Sequence, residues 1–207
     1  MTRFILALAS LLFLAACSTP VAEQVRRLQL AAPCCAALTD LQPVEVLSAE
    51  ISGELSESSR VVSVGGSKTP AIMFRLPEGS AGRVLEIHAT PDMGAVTEGG
   101  SLIFTPISVV FLAADGSTVA PSADSDLNAA HGGVMYLFIL ARQARIPSQA
   151  VSAVFYADPA RIGKSQTMQH QTTSYLMPAG GILIPIAGRS SVKAIYAVYG
   201  KFSAKLL

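Results

Sequence analysis

The run FTPISVVFLAADGS, residues 104 to 117, constrains the fold more than any other stretch. From Ile107 to Ala113 nearly every residue is apolar, and most are β-branched or aromatic. A half-buried strand alternates apolar and polar residues, whereas an unbroken apolar run describes a strand covered on both faces. Asp115-Gly116 then closes the run with a turn dipeptide. A strand of this kind needs paired neighbours and a layer of protein on each side.

Flanking segments supply the neighbours. In AIMFRLP, Ile72, Phe74 and Leu76 alternate with Met73 and Arg75. In RVLEIHA, Leu85, Ile87 and Ala89 alternate with Glu86 and His88. Both predict strands with one wet face. Further strands are expected at 44–52, 60–65, 134–141, 182–187 and 192–199, with Gly, Pro, Asp and Ser between them. Few connections are long enough for helical crossovers, so antiparallel pairing is expected. The reading is an all-β protein, an antiparallel β-sandwich of jelly-roll or Ig-like type with one or two short helices. One helix is expected at DPARIGKS, with Asp158 as cap, Pro159 at its first position and Gly163 near its end. SQAVSAVFYA, residues 148–157, reads as strand or helix, with a short helix favoured at its start.

The N-terminus reads MTRFILALASLLFLAACSTP. Arg3 precedes an apolar run, Phe4 to Leu14, too short to cross a bilayer, and small residues then lead to Cys17. Leu14-Ala15-Ala16-Cys17 resembles the lipobox of bacterial lipoproteins. The resemblance implies cleavage before Cys17 and its lipidation by diacylglycerol and a fatty acyl group, with no other cofactor. Ser18 stands where an Asp would mark inner-membrane retention, so the expected location is the periplasmic face of the outer membrane. The expected organisation is a signal peptide at 1–16, a lipidated N-terminus and tether at 17–33, and a single β-sandwich domain at 34–207. As a flexible tether, the sixteen residues STPVAEQVRRLQLAAP would span about 20–25 Å, with a turn or two of helix at VAEQVRRLQL. Loss of Arg3 with the leader brings the 15 Lys plus Arg level with the 14 Asp plus Glu, so charge gives no reason to propose nucleic acid as a partner.

The remaining cysteines are adjacent, Cys34 and Cys35. In an oxidising compartment three readings compete: a strained vicinal bridge that stiffens the turn beside Pro33, a reduced pair with a buried thiol, or a cross-link to another chain. Zinc fits least, because His88, His131 and His170 follow no ligand spacing.

Four segments in order, APCCAALTDL at 32–41, FRLPEGS at 74–80, FTPISVVFLAADGS at 104–117 and YADPARIGKS at 156–165, resemble the maltose operon periplasmic protein family. The resemblance covers most of residues 31 to 165. It implies a secreted, non-enzymatic accessory in maltodextrin uptake, acting through an uptake-system protein or weak oligosaccharide contact. The chain differs from that family in carrying a lipobox, and up to Leu207 it shows no Pro-rich linker or helical tail. No catalytic residue carries over. The alternative is an envelope adaptor unrelated to sugar.

The residues themselves assemble no familiar active site. There is no Gly-x-Ser-x-Gly elbow, no His-Glu-x-x-His and no P-loop. VGGSKT, residues 64–69, reads as a hairpin turn. Glu45, Glu50, Glu54 and Glu57 read as the wet side of a strand and loop. Asp124-Ser-Asp126-Leu-Asn128 opens like a calcium loop but places Ala129 where Gly is needed and Met135 where Glu is needed. Sugar recognition uses aromatic platforms, and the chain has no Trp. Tyr136, Tyr175 and Tyr199 are the candidate stacking residues, with Tyr156 and Tyr196 as core or rim positions.

Overall fold

A computed structural model describes residues 20–44, 47, 50–92, 101–122, 124–125, 128–132, 136–179 and 182–207. The elements are helix α1 (Val21–Leu30) and strands β1 (Glu50–Leu55), β2 (Arg60–Val64), β3 (Ser67–Arg75), β4 (Val84–Ala89), β5 (Leu102–Phe104), β6 (Ile107–Ala113), β7 (Thr118–Val119), β8 (Asn128–Gly132), β9 (Tyr136–Arg145), β10 (Ala150–Ala157), β11 (Ser165–Ala179), β12 (Ile182–Tyr196) and β13 (Gly200–Leu206). A 3₁₀ turn lies at Leu38–Asp40. The fold is all-β and sandwich-like. One sheet has the order β1-β13-β4-β9-β8, and the second has the order β2-β3-β10-β6-β7. A third sheet, β11-β12-β5, is a long hairpin with β5 added in parallel. Every other pair within the three sheets is antiparallel.

The main core lies between the two larger sheets. Leu55, Leu85, Ile87, Leu140 and Phe202 come from the first, and Phe74, Ile107, Phe111 and Phe155 from the second. Phe202 stacks on Phe155 at 5.1 Å between ring centroids, and Phe155 meets Phe74 edge-on at 5.6 Å. Those geometries suit the ring quadrupoles and add to the area they bury.

A second cluster lies on the outer face of the second sheet. Val62, Ala71, Met73, Leu112 and Val154 are buried there under Leu41, with Cys35 and Leu38 packed alongside. This layer explains the nearly unbroken apolar run of β6, which is covered on both faces as its composition predicts. It also corrects the reading of β3: Met73 is buried, because residues 35–41 cover the face expected to be wet.

Other differences have local causes. SQAVSAVFYA begins no helix. Its residues from Ala150 form β10, paired on both sides by β3 and β6. DPARIGKS is a turn rather than a helix. Asp158 O accepts from Arg161 N at 3.0 Å and Ile162 N at 3.2 Å, and Asp158 Oδ1 accepts from Ala160 N at 3.0 Å. Gly163, with φ of +77°, then reverses the chain, and its N–H donates to Tyr196 O at 2.9 Å. Sheet pairing therefore claims the backbone after one turn. The expected strands at 182–187 and 192–199 are one strand, β12, which ends at Tyr196, and β11, a mostly polar stretch, is a strand that alternation did not reveal. The Gly65-Gly66 turn joins β2 to β3 as VGGSKT predicts, with φ of +57° and +80°.

Residues 20–33, expected as part of a flexible tether, are instead folded onto the domain. The apolar stripe of α1 buries Leu28. Gln24 Oε1 accepts from the backbone N–H of Val198 at 3.1 Å and Tyr199 at 3.4 Å. Lys68 Nζ donates to Gln29 O and Ala31 O, both at 2.7 Å, at the helix C-terminus where a cation is favoured.

Candidate functional site

The residues with assignable chemistry gather around α1 and the segment that follows it. Glu23, in the first turn, accepts from Arg26 three residues on and from Arg27 four residues on. Those hydrogen bonds, Arg26 first, hold the Glu23 carboxyl down to about 2. Arg27 also donates to Glu57 Oε1 at 2.7 Å, tying the helix to the loop between β1 and β2. These pairs are exposed, so they orient the helix more than they stabilise it. Between α1 and the body runs a groove of about 440 Å³ lined by Val25, Leu28, Gln29, Ser67, Lys68, Pro159 and Ile162. Lys68, among these lining residues, is directed at the helix carbonyls.

Cys17 lies outside the described residues. The described chain begins at Pro20, directly at the docked helix. Three residues from Cys17 to Pro20 reach about 10 Å when fully extended.

Cys34 and Cys35 are joined by a disulfide. Cys34 is exposed, and its N–H donates to Val61 O at 2.8 Å. Cys35 is half-buried against the outer cluster. The bridge thus starts the segment that covers the second sheet. Farther along, Thr39 fits against the turn after β6, where Gly116 has φ of +82° and a side chain would collide with the Thr39 methyl.

The three tyrosines stand in three settings. Tyr199 is half-buried between β12 and β13 beside α1, and burial pushes its phenol above its ordinary value. Tyr136 opens β9 opposite Gly132 of β8, and Tyr175 pairs with Ile186 in the long hairpin. Tyr196 is buried in the core, with its hydroxyl 2.8 Å from Gln166 Oε1.

Other candidates resolve individually. Asp124 is bound to Arg142, whose Nε is 2.8 Å from Oδ1, so its carboxylate answers a cation already present in the chain. Arg142 also donates to Ser108 Oγ at 3.0 Å. Sequence patterns did not reveal Arg142 as a partner, although it falls in register with Ile87, a core position, where a charge requires a counter-charge. Glu57 holds Arg27, whereas Glu50 and Glu54 are exposed on β1. Glu45, Asp126 and Met135 lie outside the described residues. His88 stands 3.6 Å from Glu86 on the outer side of β4. Among the described residues, no three His, Cys, Asp or Glu side chains gather at metal-binding distance, and no helix is long and apolar enough to span a membrane.

The chain matches no protein-family model, no curated protein and no solved structure.

Proposed function

We propose that the protein is a lipid-anchored envelope protein that works by binding rather than catalysis. Acyl groups on Cys17 attach it to the periplasmic face of the outer membrane. The observation that carries this reading is the meeting of two features: a lipobox-like leader ending at Cys17 and a helix docked on the domain from residue 21. With so short a connection, the body is presented to the bilayer in a limited range of orientations, an arrangement suited to a partner in or on the membrane.

The function assigned is an accessory role in maltodextrin uptake, which rests on the family resemblance of residues 31 to 165. Of the two modes, contact with an uptake-system protein is favoured over oligosaccharide binding. The absence of Trp from the sequence supports that preference, because an oligosaccharide site draws on broad aromatic faces. The same observation supports the alternative, an envelope adaptor with no link to sugar. Isothermal titration with maltodextrins separates them: heat at millimolar ligand supports the uptake role through sugar contact. Silence with maltodextrins, together with co-purification of envelope proteins other than uptake components, supports the adaptor.

A further inference from the structure

We infer that the distal end of the β11–β12 hairpin is an arm that enters the acyl-chain region of one leaflet of a bilayer. The base of the hairpin belongs to the domain. Met168, Ala194 and Tyr196 are buried in the main core, and residues 194–196 pair with β5. Beyond the base the composition changes in one step. Residues 165 to 174 read SQTMQHQTTS, opposite GRSSVK at 188 to 193. The distal pieces read YLMPA at 175 to 179 and ILIPI at 182 to 186, with no charge and no hydrogen-bonding side chain except the Tyr175 phenol. The register brings the change to the same level on both strands, since Thr172 pairs with Gly188 and Tyr175 with Ile186.

Successive residues of a strand fall on opposite faces, so an uninterrupted apolar run places apolar residues on both faces of the ribbon. An amphipathic surface hairpin changes character across its thickness. This one changes along its length, as does an element entering an apolar medium end-on. Five residues at about 3.4 Å each reach about 17 Å, roughly half of a 30 Å hydrocarbon core. Tyr175 sits at the boundary, with His170, Arg189 and Lys193 on the polar side. That is the order of aromatic and basic residues at a membrane–water interface.

A strand from a second copy or another protein is the competing occupant, and Pro178 and Pro185 weigh against it. Proline has no N–H, so within a paired ladder it sits where its nitrogen faces the outer edge. With one proline on each strand, each outer edge of the distal piece lacks one donor, which discourages strand addition. The same two residues remove two of the unpaired backbone groups that an open hairpin carries into lipid, where each is costly.

The chain has no Trp, so Leu183→Trp provides a unique fluorophore, and Met177→Trp on the facing strand provides a second. The full chain is reconstituted in phosphatidylethanolamine–phosphatidylglycerol vesicles with plain or brominated acyl chains. Either reporter is expected to shift to the blue and to lose at least about twofold of its emission to brominated lipid, whereas Thr167→Trp at the base keeps its emission. The same quenching in vesicle-bound Cys17→Ala protein supports the arm independently of the anchor. A vesicle-bound, acylated protein with both tip reporters unquenched overturns the arm and leaves the anchor standing. A blue-shifted tip that brominated lipid does not quench places it in protein and also overturns the inference.

Discussion

Gly53 of β1 lies directly opposite Phe202 of β13, and the ring of Phe202 fills the space that a side chain at position 53 would occupy. A Cβ there would meet the ring's Cζ and would lie 2.6 Å from Cε1. On its other side the ring stacks on Phe155 at 5.1 Å. The glycine thus lets an aromatic residue cover an edge strand and join both sheets.

Gly53→Ala is expected to destabilise the fold by about 1–3 kcal/mol, because the ring must move into a filled core. Phe202→Leu relieves the collision, so the double variant should lose less than the sum of the single losses. Urea unfolding curves of the four proteins measure this coupling, and strict additivity would contradict it.

Cys34→Ser/Cys35→Ser is expected to change global stability by only about 1 kcal/mol, because a bridge between adjacent residues closes the shortest loop. Its effect should be local. Deuterium uptake across residues 34–41 rises, while uptake in β10 stays unchanged. Unchanged uptake at 34–41 would show that the apolar contacts of Leu38 and Leu41 hold the segment unaided.

Lys68→Met removes both hydrogen bonds from the side chain to the end of α1 and is expected to weaken helix docking by about 1 kcal/mol. Limited proteolysis reads it as faster cleavage within residues 21–33, with the strand body intact. Equal cleavage rates would contradict the assigned role.

Glu23 makes a pH prediction with a definite sign. Its folded value of about 2 lies below the ordinary 4.5, and hydrogen bonds from Arg26 and then Arg27 are the leading causes. A depressed carboxyl contributes in full above the unfolded value, and the contribution is lost as pH falls through the folded one. The helix should therefore loosen between about pH 4.5 and 2. A Glu23 carboxyl resonance titrating near 2 by carbon-13 NMR agrees, and one titrating near 4.5 does not.

What the chain revealed before folding depended on how local each signal was. Ile107–Ala113, Asp115-Gly116 and Gly65-Gly66 encode their conformations in neighbouring residues, and each has the expected form. Met73 looked exposed because its cover, residues 35–41, lies more than thirty positions away. The Asp158 turn carries good helix-start chemistry but is overruled by pairing between residues 163–164 and Tyr196. The docking of α1 was hidden because its main partners, Lys68, Val198 and Tyr199, are distant in sequence. Cys17 is the opposite case: its reading is entirely local, and α1 adds only the nearness of the body.

The proposed acylation at Cys17 is tested most directly by metabolic labelling with a clickable palmitate. Label is predicted on the expressed protein and absent from the Cys17→Ala variant. An expressed wild-type product that takes up no label would contradict the anchor and the placement at the membrane that follows from it.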